Sequence, residues 1–417
     1  MKLRYIYIFL ASLLASGCGF LDIDTPGIVN NDKMFENEQG FIDAMDGVYA
    51  SMAAGDLYGE ELSFGFIDEI AQLYFNDYGE GRTALTKTID LEYKDEEVRS
   101  RIDLIWGRAY NAISSVNSIL DNVAGHSYPG LPRIEGEALA VRAMLHFDML
   151  RLFAPGMDKP DAEAIPYVDH FSVNPFRRLT VRGVYDRVEE DLEQAYKLLS
   201  DAPEISGRTP MCVYMNKYAA AALLARVHNW AGNHEEASRY ASLALEGSFA
   251  FTREEQVKSM FLGYLAGMEC LFGLHAPNMY LDVRSTLYPT RLTESMLMVR
   301  DNYQSLFEVP TFTSVNNDYR YQAYFSRRTW SRTVTLCTKF YDKNYDEEQI
   351  APADKIPGPN LIRIPEMYYI LAESAYAASD MAKALEYLNN VVTARGLLPL
   401  QAEDIDTEAK FRKKLVG

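Results

Sequence analysis

Few side chains in this sequence are spaced for nucleophilic attack, metal binding or proton transfer. The six histidines, His126, His146, His170, His228, His234 and His275, include no HExxH pair. His228 and His234 are six residues apart with Gly232 between them, so a continuous helix would put them on opposite faces. They read as helix-face or turn residues. No G-x-S-x-G elbow and no phosphate-cradling glycine loop occur. Asp68-Glu69 and Glu235-Glu236 are adjacent acids, the pattern of a solvated helix face rather than of a hydrolase pair. Cys212, Cys270 and Cys337 show neither CxxC nor His-paired spacing and read as small buried residues, with no zinc site and no disulfide framework. Catalysis is therefore not expected, and neither is a cofactor.

Binding remains. Flat aromatic faces suit the apolar faces of sugar rings, and a few polar groups fix orientation. With 28 tyrosines and 3 tryptophans, aromatic content alone selects nothing. Trp106 lies on an amphipathic pattern and Trp230 ends a helical run, so both read as packing. Trp330 stands between Arg327-Arg328 and Arg332 in an irregular stretch, and is the best single candidate for a ligand contact. Tyr280 and Tyr288, from the same stretch, are further candidates, each weighed against a plain packing role.

The elements that would position them are mostly helices. Phe41, Ala44, Met45 and Val48 recur at spacings of three and four within 34–52, and Ile105, Ala109, Ala112, Ile113, Val116 and Ile119 repeat this within 102–123. Segments 135–153, 181–199, 214–230, 234–245, 364–378 and 381–394 are helical by the same pattern, and Pro129, Pro132, Pro155, Pro160, Gly207, Pro210, Gly232, Pro357 and Pro359 fall between runs. Ala225, Ala237, Ala241 and Ala244 share their offsets with Ala372, Ala384, Leu388 and Val391, each set joining two helices through a tight turn. Small residues so placed let paired helices approach closely, as in tetratricopeptide repeats. Segment 249–360 is irregular; Val334, Leu336 and Thr338 within 329–340 suggest a strand, and a helix is expected at about 292–307. The fold class is mainly α: a tetratricopeptide-like scaffold of helical pairs with a loop-rich, ligand-facing part holding a few short strands.

At the N-terminus, Lys2 and Arg4 precede an apolar run from Tyr5 to Leu14 and the small residues Ala15, Ser16 and Gly17, the three parts of an export signal. The run is shorter than the ~20 residues that cross a bilayer. Leu14-Ala15-Ser16-Gly17-Cys18 resembles a lipobox, so Cys18 is the expected lipidation site, although the leucine lies one position further back than the preferred pattern. Removing residues 1–17 takes away two cations and no acid, and moves the net charge from −18 to −20. Such a body repels phosphate backbones, which argues against nucleic acid as a partner.

Several segments, in order, resemble the SusD/RagB family of nutrient-binding outer-membrane lipoproteins. They begin with Cys18, Phe20-Leu21-Asp22 and Pro26, and continue with Trp106-Gly-Arg-Ala-Tyr110-Asn-Ala-Ile113, Asn117 and Ile119-Leu120. Gly136-Glu137-Ala138, Arg142-Ala143, Phe147, Leu150 and Phe153-Ala154 follow, with Ile165-Pro166-Tyr167, Thr180-Val181, Val184-Tyr185, Asp191-Leu192 and Ala195. Asn360-Leu-Ile-Arg363-Ile-Pro-Glu366-Met-Tyr-Tyr-Ile370-Leu-Ala372-Glu373-Ser-Ala375 is similar to the family's late helix, and Leu388-Asn389 and Ala394-Arg395-Gly396 complete the series. The resemblance implies a lipid-anchored glycan binder on the outer membrane, facing the cell exterior and seated on a SusC-like TonB-dependent transporter. Its rivals are a peptide-binding relative and a scaffold without a ligand of its own. It also implies that part of the ligand site precedes the Trp106 helix, which adds Asp68, Tyr74, Asp77, Tyr78 and Arg82 as candidates. Asp22 and Asp24 fit the acidic flank that such lipoproteins carry when displayed outside, and Asp318-Tyr319-Arg320 reads as a fold-holding ion pair. The expected organisation is a signal over 1–17, a tether over 18–33 and one domain over 34–417, with helical repeats at about 34–248 and 361–417 around the irregular part. The family commonly continues beyond Arg395-Gly396 into a further helix. A shortened C-terminus is therefore expected, with part of the last helix pair's apolar face uncovered.

Overall fold

The structure, a computed structural model, describes residues 34–76, 83–257, 260–261, 268–289, 296–300, 303, 307, 318–341 and 358–416. Cys18 and the 18–33 tether lie outside the described residues. In chain order come α1 (Glu38–Met52), α2 (Phe66–Ile70), β1 (Tyr74–Phe75), α3 (Ala84–Ile89), α4 (Glu96–Val123) and α5 (Leu131–Phe153). Next are β2 (Glu163–Pro166), β3 (Arg178–Thr180), α6 (Val181–Asp201), α7 (Lys217–Trp230) and α8 (His234–Ala244). The irregular part contributes α9 (Glu254–Val257), β4 (Cys270–Gly273), α10 (Met279–Thr286), β5 (Met298–Val299), α11 (Tyr319–Tyr324), β6 (Phe325–Thr329), β7 (Thr333–Cys337) and β8 (Asn360–Arg363). The chain closes with α12 (Ile364–Ala377), α13 (Met381–Ala394) and α14 (Glu408–Val416).

Side chains that satisfy the free amides of the first turn start these helices. Asn37 accepts from the Gly40 amide, Asp95 from Glu97, Thr180 from Gly183, Asn216 from Tyr218 and Ala219, and Asp380 from Lys383, all at 3.0–3.1 Å. Helices α1, α4, α5, α6, α7, α8, α12 and α13 stack in that spatial order, so α8 meets α12 across the whole irregular excursion. Each pair buries an apolar stripe against the next, the construction of a helical-repeat solenoid. The matched small residues make the contact. Ala225, Ala237, Ala241, Ala244, Ala372, Ala384, Leu388 and Val391 are all buried. Gly232 turns the first pair at φ 78°, and Ser379 occupies the matching left-handed position of the second at φ 60°.

The family-like polar residues inside the stack form a buried network. The Arg142 guanidinium donates to both Asp191 oxygens at 2.7 and 2.8 Å, to Asn117 Oδ1 at 3.0 Å and to the Asp169 carbonyl at 2.8 Å. Tyr167 donates to Asp191 as well. A buried ion pair with its remaining valences satisfied ties α4, α5, α6 and the 166–170 loop into one register. Trp106 packs edge-on to Phe153 with ring centres 4.9 Å apart, and Trp230 edge-on to Phe147 at 5.6 Å; both are packing residues.

Two expectations are corrected. Where a helix was expected at about 292–307, the described residues hold strand β5, in which Met298 and Val299 pair with Phe75 and Tyr74 of β1. A two-residue strand leaves no periodicity to read. The apolar face of the last helix pair is covered by Leu400, Ile405 and Phe411, and Phe411 stacks on Tyr376 at 4.0 Å. Among the described residues no helix is long and apolar enough to cross a membrane.

Candidate ligand-binding site

Strands β6 and β7 form a hairpin in register from Phe325–Cys337 to Thr329–Thr333. Alternation turns Val334 and Leu336 inward onto Met296 and Met298, and Trp330 at the tip packs half-buried against this cluster. The Trp330 amide donates to the Arg332 carbonyl at 3.0 Å, closing the tip, and the Thr329 and Thr333 hydroxyls bond at 2.9 Å below it.

Tyr280 lies in the first turn of helix α10 and Tyr288 two residues beyond its end, and both meet the ring of Tyr341, which follows β7. Tyr288 and Tyr341 stack with centres 4.0 Å apart and planes 28° apart; Tyr280 and Tyr341 are near parallel, 18° apart, at 6.5 Å. The Arg328 guanidinium lies 4.4 Å over the Tyr288 ring and 5.7 Å from that of Trp330, and donates to the Pro289 carbonyl at 3.0 Å. Tyr280, Tyr341, Tyr288, Arg328 and Trp330 thus run as one row, each half-buried. Within it Tyr341 covers one face of Tyr288 and Arg328 the other, so the row presents aromatic edges, the half-buried Trp330 ring and a fixed cation.

The structure therefore brings together three residues singled out by sequence, Trp330, Tyr280 and Tyr288. Tyr341, which links them, was missed. It follows Phe340 in a run of mixed character, and nothing local separates a platform tyrosine from a packing one. Tyr74 is not part of the row. It is 7% exposed in a core with Cys337 and Val299, and burial first, then its contacts with Cys337 and Asp68, push its hydroxyl pKa well above the usual value. The pleat of β1 turns this ring inward, apart from the row. Asp68, on α2, has its carboxyl pushed up to about 6 by burial, partly opposed by Lys339. Among the described residues it makes no hydrogen bond or ion pair with the row. Asp77, Tyr78 and Arg82 lie outside the described residues.

Other titratable groups serve the fold. Asp318 is fully buried, caps α11 and pairs with Arg320 at 2.8 Å. His146 accepts the Val168 amide at Nε2 (2.9 Å), which leaves the proton on Nδ1 for the Arg142 carbonyl at 2.9 Å; burial lowers its pKa to about 3. Among the described residues no group of three or more His, Cys, Asp or Glu side chains could hold a metal ion.

Residues 45–228 match a SusD-like family described as starch-binding and associating with the outer membrane. A SusD-like protein P2 from Formosa agariphila is 23% identical over 270 residues, 62% of this chain and 50% of the relative. The chain thus spans about half the length of the curated relative it matches. Among solved structures, a SusD-like carbohydrate binding protein from Bacteroides vulgatus superposes with a TM-score of 0.71 at 21% identity, covering 90% of this chain and 78% of that one. A SusD superfamily protein from Bacteroides thetaiotaomicron gives 0.68 at 19% identity, covering 93% and 85%. Residues 45–228 are thus similar in sequence to a SusD-like family, and the fold is shared with SusD-like structures over most of the chain.

Proposed function

We propose that the protein is a lipid-anchored, cell-surface glycan binder that captures oligosaccharide on the Tyr280–Tyr341–Tyr288–Arg328–Trp330 row and passes it to a SusC-like TonB-dependent transporter. The row itself carries this reading: half-buried aromatic rings beside an arginine suit sugar rings, whose C–H groups pack on the exposed aromatic surface while hydroxyls bond to the cation. The starch-binding description of the matched family and the carbohydrate-binding description of one fold relative support it. Capture needs no covalent step, so no catalytic residue is assigned. Cys18 would hold the anchor, and two or more acyl chains hold stably where one does not. The domain organisation is proposed with it: a signal at 1–17, a tether at 18–33 and a single body beyond.

Calorimetric titration with pools of neutral oligosaccharides and of peptides tests the reading. Saturable heat with oligosaccharides is expected; binding of peptides alone would transfer the row to a peptide-uptake role. Cys18→Ala is expected to leave folding intact and release the protein from the membrane fraction.

A further inference from the structure

Behind the segment that carries Tyr341, a cavity of about 350 Å³ is lined by Phe261, Lys339, Phe340, Asn360, Arg363 and Tyr369 among others. Its polar groups are unevenly matched. The Lys339 ammonium lies 4.3 Å from the Phe261 ring centre and 5.0 Å from that of Phe340, and makes no ion pair among the described residues. Arg363 reaches Glu269 at 3.3 Å, but that carboxylate is already held by Arg395 at 2.7 and 2.8 Å. One carboxylate thus serves two guanidiniums. Glu366, also in the wall, is taken up by Arg226 at 2.6 and 2.7 Å. Lys339 feels the charge of Asp68, and Arg363 has only the already shared Glu269, in a chain whose net charge is −18.

Two half-buried cations that share few carboxylates carry a desolvation cost unless a further anion answers them. We propose that this cavity binds a small sugar acid, its carboxylate between Lys339 and Arg363 and its ring against Phe261 and Phe340. A charge-assisted contact on both sides of the carboxylate suits arginine and lysine. The volume falls at the small end of ligand sites, the size of one sugar ring rather than a chain. This pocket is separate from the aromatic row and does not depend on what the row binds.

Isothermal titration of the full chain with glucuronate, glucuronic acid methyl ester, acetate and inorganic phosphate tests it. Glucuronate is expected to bind at least tenfold more tightly than the methyl ester, which keeps the hydroxyls and loses the charge. Acetate and phosphate are expected to bind more weakly than glucuronate. Lys339→Met should lose tenfold or more in glucuronate affinity, Lys339→Arg should stay within about threefold, and Trp330→Ala should change nothing. The ester comparison on the unaltered chain needs no variant to fold. Absence of saturable glucuronate binding, or equal affinity for the ester, overturns the proposal. So does equal binding of acetate or phosphate, which would reduce the cavity to an unspecific anion site. A loss of glucuronate binding in Trp330→Ala would move the ligand to the aromatic row and leave glycan capture standing.

Discussion

The carboxylate of Glu269 at the edge of β4 meets the guanidinium of Arg395 at the end of α13 through two parallel hydrogen bonds, 2.7 and 2.8 Å long, across 126 residues of sequence. Both side chains are buried, and Arg363 and the Thr252 amide share the same carboxylate. Burial raises the Glu269 pKa, but the hydrogen bonds and charge of Arg395, the Thr252 amide and the charge of Arg363 together outweigh it and hold the carboxyl below its usual range. Because the folded-state value is depressed, the stabilisation is complete above the ordinary glutamate pKa and is lost as pH falls through the folded one. Glu269→Ala leaves two guanidiniums without their anion and is expected to cost about 3–5 kcal/mol. In thermal melts from pH 7 to pH 3, Glu269→Gln should show a flatter acid limb than the unaltered chain.

Tyr288 is the middle of the aromatic row, in contact with Tyr341 on one side and Arg328 on the other. Tyr288→Ala is expected to weaken oligosaccharide binding by about tenfold, ~1.4 kcal/mol, and Trp330→Ala by a similar factor. Urea midpoints of the two variants should shift little, since both rings are half-buried. Unchanged affinity in both would remove the row from ligand capture.

His146 stays neutral when folded, with a pKa lowered to about 3 by burial, and titrates near 6.5 when unfolded. The unfolded chain therefore binds more protons between these values, so stability falls as pH drops from about 6.5 towards 3, by at most ~1.4 kcal/mol per pH unit. His146→Gln should lose stability at pH 7.5 yet show a shallower decline between pH 6.5 and 5. Denaturant titrations at three pH values read this directly.

Gly136 lies where α5 meets α6. A Cβ there would stand 2.9 Å from Leu199 Cγ, 3.1 Å from Leu198 Cβ and 3.3 Å from the Ala195 carbonyl oxygen. Gly136→Ala gains up to about 1 kcal/mol in helix propensity but overpacks the contact by ~1–3 kcal/mol. A net loss is expected in the urea midpoint. A gain would mean that the two helices have room to part.

Ser379 fills at φ 60° the turn position that Gly232 fills at φ 78° in the other helix pair. The left-handed conformation costs a non-glycine residue roughly 1–2 kcal/mol, offset in part by the greater unfolded-state freedom of glycine. Ser379→Gly is expected to stabilise the fold by about 0.5–1 kcal/mol, seen as a rise in Tm.

Helices were legible because their signals are local. The 381–394 run has the same bounds in the structure, where Asp380 supplies the cap and Ala384, Leu388 and Val391 the buried stripe. The pairings β1–β5 and β4–β8 were not legible, for they join two- to four-residue strands lying far apart in sequence. The site divides the same way. Residue type and irregular context pointed to Trp330, Tyr280 and Tyr288, but which tyrosines face outward depends on packing contributed by distant segments. Tyr74 and Tyr341 are equally aromatic; only the pleat of β1 and the stack on Tyr288 separate a core ring from a platform ring.

Gly273 and Asn360 are register partners in the β4–β8 ladder, so the long stretch of chain between them is joined at its two ends by one pairing. That ladder works as a drawstring neck: the chain it encloses can lengthen, shorten or change its aromatic lining while the neck keeps α8 seated on α12. Doubling a flexible loop costs only about 0.6 kcal/mol in closure entropy. One scaffold with its neck held shut can therefore present very different ligand faces, so specificity can change quickly within a fold that changes slowly.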